Sequence, residues 1–170
     1  MKILFSLLLL FPVLCYAQNY EYPSVQGYGA VVNYEGVSLP SKGAKIVIDM
    51  TTANPTGQGH SQSMDRVARL INLYGLGGVT PEQLEIVVVV HSAAYKTILS
   101  NEAYRKRFRA DNPDLDALNT LTEAGVQFMV CGQSINARQV AIDEINPNVK
   151  LAISAITTLV DHQQRGFSLL

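Results

Sequence analysis

A cysteine thiol and a histidine imidazole are the two side chains here that can exchange protons or attack near neutral pH. Cys131 follows Val126-Gln127-Phe128-Met129-Val130 and precedes Gly132-Gln133-Ser134. A thiol in that position ends a buried strand, at the edge where open α/β sheets bind their ligands. Backbone N–H groups of Gly132, Gln133 and Ser134 turned toward the sulfur would favour thiolate over thiol. Gly132 has no side chain and would let a sulfur ligand approach the backbone. Gln133, Ser134 and Asn136 add neutral donors and acceptors. The competing reading is a small buried hydrophobe at the end of a core strand.

His91 ends a second apolar run and Asp49 a third, so a parallel sheet would bring both to the edge that holds Cys131. His91 there can act as a base, as a hydrogen-bond partner for a thiolate, or as a cap for the following helix. An acid at the position of Asp49 often orients a loop by accepting its N–H bonds. Asn54 and His60 lie in the loop after Asp49 and can reach over the same crevice. His60, His91 and Cys131 lack the local spacing of a metal site, and no cofactor is expected. His162 stands among polar residues and is expected to face solvent. The Arg105, Lys106, Arg107, Arg109 cluster reads as a solvated helix face. Gly75-Leu76-Gly77-Gly78 lacks the GxGxxG spacing and falls at a helix end, whereas a dinucleotide loop opens a helix.

Cys131 stands alone only if the first residues are removed, because the other cysteine is Cys15. Met1-Lys2 gives a short positive start, Ile3 to Leu14 is nearly all apolar, and Cys15-Tyr16-Ala17 has small residues where a signal peptidase reads them. Residues 1–17 are therefore expected to be a signal peptide, giving a periplasmic or secreted protein that begins at Gln18. Bulky Leu14 argues against acylation of Cys15. The apolar run is shorter than the roughly 20 residues a membrane span takes, so no membrane span is expected. A free thiol in an oxidising compartment is chemically exposed, and its presence calls for a reason.

The elements that must position these residues alternate in period. Residues 18–43, with Pro23, Gly27, Gly29, Gly36, Pro40 and Gly43, predict an irregular amino-terminal arm, with a short strand near Ala30-Val31-Val32. Ala44 to Met50 is a strand. A helix over about 61–73 has Met64, Val67, Ala68 and Ile71 on one face and the glycines from Gly75 as its stop. Leu84 to Val90 is an unbroken apolar run, as a central parallel strand covered on both faces requires. Helices are predicted over 93–100, 102–109 and about 114–124. The Cys131 strand comes next, then a polar helical turn, a short apolar segment at 149–152, a helix over 154–164 and a last strand over 167–170. This alternation over residues 44–170 predicts one α/β domain, a mostly parallel sheet of about five strands with helices on both faces.

Composition removes other classes. Lys and Arg total 13 against 14 for Asp and Glu, with no basic block, so nucleic acid is not an expected partner. With 48% apolar residues the domain can build a core without disulfides.

With these residues in place, the chain resembles the DsrE/DsrF-like family of small α/β proteins, some of which carry sulfur. The likeness lies in Ile46-Val47-Ile48-Asp49, the Glu85-to-His91 strand with its terminal histidine, the Asn112-Pro113 helix entry, Gly125-Val126, the Val130-Cys131-Gly132-Gln133 segment and the Gly166-Phe167 ending. It is similar to a branch with a Cys-Gly-Gln segment. The resemblance implies a flavodoxin-like sheet and an oligomer, a homotrimer or homohexamer. In the relay members a cysteine at the position of Cys131 accepts a persulfide, which implies a sulfur donor or acceptor protein as partner. Those members are cytoplasmic and lack the amino-terminal arm. The expected function is thus sulfur handling through Cys131 with His91 assisting. A non-enzymatic ligand-binding module and a structural oligomer stand as alternatives.

Overall fold

A computed structural model describes residues 19–170. The expected signal peptide and the predicted cleavage point fall outside the described residues. The arm contributes β1 (Tyr20–Glu21) and β2 (Val31–Val32), paired antiparallel. The domain then runs β3 (Lys45–Met50), α1 (Gln62–Leu76), β4 (Glu85–Val90), α2 (Asn101–Phe108), α3 (Leu115–Glu123), β5 (Gln127–Cys131), α4 (Gly132–Ala137), β6 (Val149–Ala152), α5 (Ala155–Gln164) and β7 (Ser168–Leu169). Short 3₁₀ turns cover Pro81–Gln83, Ser92–Ile98 and Ile142–Glu144. The expected α-helix over 93–100 is thus a 3₁₀ segment, closed at Leu99 by its N–H bond to Lys96 O.

Among the described residues, the five longer-range strands form one parallel sheet in the order β6-β5-β4-β3-β7. Three successive crossovers step from β3 toward β6, and the last returns across the sheet to β7. Right-handed crossovers place the helices of opposite steps on opposite faces. The packing follows. Ile46, Ile48, Met50, Ile86, Val88, Val90, Phe128 and Val130 point into one core with Met64, Val67, Ile71, Leu118, Leu121 and Ile135 from α1, α3 and α4. Val47, Val87, Val89 and Cys131 point the other way, against Ala155 and Leu159 of α5. The second face has one helix where the first has several, and this asymmetry decides what surrounds Cys131.

The arm is folded onto α1. Asn72, 0% exposed, accepts from Ser24 N and Val25 N at 3.0 and 2.8 Å. Its Nδ2 donates to Val25 O, Tyr28 O and Gly29 O at 3.1, 3.0 and 3.1 Å. Val25 enters the main core. Gly29, at φ +62°, passes so close to α1 that an added Cβ would lie 2.1 Å from Arg69 N. Gly75 and Gly77 do the same service from the helix: a Cβ on Gly75 would sit 2.6 Å from Ser24 Oγ, and one on Gly77 2.8 Å from Pro40 O. The sequence suggested that these glycines stop the helix at about 73. The helix instead runs to Leu76, with Gly75 inside it, where its missing side chain leaves room for the arm.

Candidate functional site

The parallel register builds the site. β3 and β4 pair Asp49 with Val89 and Met50 with Val90, and β4 pairs Val90 with Val130 of β5. The ladder ends there, and the next residues along the two strands are His91 and Cys131, at aligned positions on the same edge. Side chains alternate along a strand, so Asp49, His91 and Cys131 all project from the α5 face, opposite Met50, Val90 and Val130. His91 N–H donates to Met50 O at 3.0 Å, which extends the ladder and fixes the base of the ring. The imidazole then reaches back diagonally to β3, where Nε2 lies 2.6 Å from Asp49 Oδ1. Asp49 therefore accepts from a histidine and not from loop N–H groups, and His91 does not cap the segment after it.

The turn after His91 is held under strain. Ser92 has φ 52°, a left-handed conformation that costs a non-glycine residue on the order of 1 kcal/mol or more. Its N–H donates to Ser134 Oγ at 2.9 Å, a bond that ties the end of β4 to the first turn of α4. Arg138 Nη1 also donates to Ser134 Oγ, at 3.1 Å, and stacks over Tyr95. Ser134 is thus the clasp between the strand that ends in His91 and the helix that follows Cys131.

Cys131 is 6% exposed and is the free cysteine of the described residues. It occupies the N-cap position of α4, yet its sulfur takes no hydrogen bond from the helix. The expected cradle of N–H groups therefore makes no hydrogen bond to the sulfur. The hydrogen bonds of the His91 ring go to Asp49 and, at 3.5 Å, to Ser92 Oγ, and none joins it to the thiol. Catalytic pairs often tighten only when substrate binds. Gly132 is needed for another strand: a Cβ there would lie 3.0 Å from Ala152 O and 3.5 Å from Ile153 O. Gln133 Nε2 donates to Ile153 O at 3.1 Å, again holding the end of β6. Asn136 is exposed on α4.

The remaining candidates lie elsewhere. Asn54 is exposed, and its carbonyl accepts from Gln62 N at 2.8 Å. His60 is buried between the arm and α1, with Nε2 3.3 Å from Asp65 Oδ1 and the Tyr28 ring edge-on at 5.0 Å. It serves the docking of the arm. Beside it Asp114 accepts from Ser61 N at 2.6 Å; burial pushes this carboxyl above its ordinary range, against the pull of the Ser61 bond. His162 is 7% exposed, contrary to the expectation of a solvent-facing ring: Nδ1 donates to Thr158 O at 2.7 Å, and Phe167 packs edge-on at 5.0 Å. Arg107 likewise leaves the solvated face, donating to Glu144 Oε2 at 2.6 Å and Gln139 O at 2.9 Å. Among the described residues no group of three or more His, Cys, Asp or Glu side chains is placed to hold a metal ion. No described helix is long and apolar enough to cross a membrane.

The end of β6 and the outer side of α5 carry exposed apolar side chains. Leu151, Ile153, Ile156 and Val160 are exposed, Ile153 and Ile156 at 76% each. Leu151 lies on β6, Ile153 in the turn after it, and Ile156 and Val160 on α5; Leu151 is aligned with Val130 and so points to the face opposite Cys131. Their apolar spacing was readable, but the direction they point was not.

This is a parallel α/β domain with a thiol, an imidazole and a carboxylate on one edge. The DsrE/DsrF-like family model matches residues 45–170, and the chain belongs to that family. Among solved structures the chain is similar to the protein of unknown function MTH1491 from Methanobacterium thermoautotrophicum, with a TM-score of 0.54 and 17% identity over 74% of this chain and 97% of that one. At that identity the likeness concerns the fold. No match was found among curated proteins.

Proposed function

We propose that this protein handles sulfur through Cys131, taking a sulfane sulfur as a persulfide and passing it to an acceptor. The observation that supports the reading is the His91–Asp49 hydrogen bond on the carboxyl edge where β5 ends in Cys131. Membership of a family linked to sulfur relay supports it. A thiolate is the attacking species in such a transfer, and an adjacent imidazole can take the thiol proton. The reading includes export, carried by the signal-like residues 1–17, and a periplasmic or secreted location. It also includes a homo-oligomer, with a sulfur donor or acceptor protein as partner.

The test is mass spectrometry of reduced wild-type protein after treatment with a sulfane donor. A gain of one sulfur atom on the peptide containing Cys131, absent from Cys131→Ser, is the expected result. No gain on a thiol shown to be reduced beforehand would remove the carrier reading. One observation favours a second reading, a structural oligomer with an idle thiol: Ile153, Ile156 and Val160, after β6 and on α5, are exposed apolar side chains. In that case the wild type assembles but Cys131 gains nothing.

A further inference from the structure

We propose that Asp49 is the positioning residue of this site, selecting the imidazole tautomer that leaves His91 Nδ1 free to take a proton. The inference rests on the sulfur-handling reading for its chemistry but on geometry for its substance. Asp49 Oδ1 lies 2.6 Å from His91 Nε2. A carboxylate only accepts, so the proton on a neutral ring is on Nε2 and the lone pair is on Nδ1. The hydrogen-bond partner of Nδ1 is Ser92 Oγ at 3.5 Å, which is at the limit of a hydrogen bond and can rotate away.

The backbone holds the carboxylate where this demands. Asp49 N–H donates to Leu170 O at 3.1 Å, and β3 is paired on its other side with β4. The acid is therefore fixed on one flank of His91, while the register puts Cys131 on the other. A strand histidine between an acid on one neighbouring strand and a thiol on the next can pass a proton only through the nitrogen the acid does not occupy. Strain at Ser92 and its bond to Ser134 keep the β4–α4 junction in place while this happens. The side chains of Asp49 and His91 are 38% and 24% exposed, so the pair has little value as a stabilising contact, and its function is to orient the ring.

The step balances without an added oxidant. Cys131 loses its proton to His91 Nδ1, and its sulfur attacks the terminal sulfur of a donor persulfide R–S–SH. The donor S–S bond breaks as the Cys131 S–S bond forms. The leaving thiolate takes the proton from His91, giving Cys131–S–SH and R–SH.

The experiment uses the full chain. Nitrogen-15 NMR of the wild type, with His91→Gln to assign the ring, is expected to show the Nε2–H tautomer and a Nε2 proton protected by the carboxylate. Asp49→Ala should lose that protected proton. Single-turnover sulfur transfer from a small persulfide should fall roughly 10- to 100-fold in Asp49→Asn. The same substitution in a His91→Gln background should change nothing, because Asp49 acts through the ring. A merely structural Asp49 would lower transfer in both backgrounds. An Nδ1–H tautomer in the wild type, or wild-type transfer by Asp49→Asn, overturns the proposal. If the wild type gains no sulfur, the carrier reading falls by that result alone. Iodoacetamide alkylation of Cys131 then replaces transfer in the same cycle, and an Asp49 effect that persists without His91 overturns the positioning role.

Discussion

Replacing Asn72 with alanine isolates the contact that holds the arm on the domain. The amide receives two backbone N–H groups on Oδ1 and spreads two hydrogens over three carbonyls, so it supports four full hydrogen bonds. At about 1 kcal/mol net for each, their sum is about 4 kcal/mol. Leaving the buried groups of Val25 unpaired would cost more, but the arm has a way out. It can lift from α1, let water satisfy its backbone, and give up the burial of Val25, worth about 1.5–3 kcal/mol. The loss on unfolding in urea should therefore fall at about 2–4 kcal/mol, the lower end if the arm lifts. Hydrogen exchange separates the two routes, since lifting exposes the amides of Val25 and Gly29 while the β4 and β5 amides stay protected. A loss below about 1 kcal/mol with the arm amides still protected would refute the reasoning, because a buried five-contact amide cannot be that cheap to remove.

Cys131→Ser keeps the volume at a 6%-exposed site, so it should cost less than about 1.5 kcal/mol in urea unfolding while abolishing any persulfide. A larger loss would point to a core residue. The pH dependence of stability should contain two opposing carboxylates. Bonds from Ala141 N–H and Arg107 hold Glu144 below the ordinary range, so its contribution is present above the unfolded value and lost as pH falls through the folded one; Glu144→Gln should flatten that acid limb. Asp114 is raised by burial, so the folded state keeps its proton longer and stability declines as pH rises from the ordinary carboxylate value to the folded one. Asp114→Asn should remove that decline, and an unchanged slope would sink the assignment. If the exposed apolar side chains of the β6–α5 turn and α5 are an interface between copies, Ile153→Glu with Ile156→Glu should turn an oligomer into a monomer in sedimentation, and a monomeric wild type would end the idea.

Much of this architecture is written in local pattern. The β-branched run of β4, the 3.6-residue period of α1 and the glycines between elements define strands and helices without tertiary information, and the family resemblance rests on the same segments. The carboxyl-edge location of Asp49, His91 and Cys131 follows too, since each ends an apolar strand and the alternation of strands with helices makes the sheet parallel. What each does was not legible. A strand end fixes an edge but not a partner, and only the β3–β4–β5 register turned three edge residues into a carboxylate bonded to an imidazole next to a thiol. The β5–β6 register set Gly132 against the carbonyls of Ala152 and Ile153 rather than a sulfur ligand.

Gly75 read as a helix stop, and Asn72 carries no local signal, because their partners are more than 40 residues away in sequence. His162 read as solvent-facing because its covering ring, Phe167, comes after the helix and folds back under it. Sequence alone determined the elements, their order and the chemical groups at their ends, all set by interactions within a few residues. Tertiary structure alone decided which groups touch, since strand register, crossover direction and the path of the arm depend on burying surfaces that are distant along the chain.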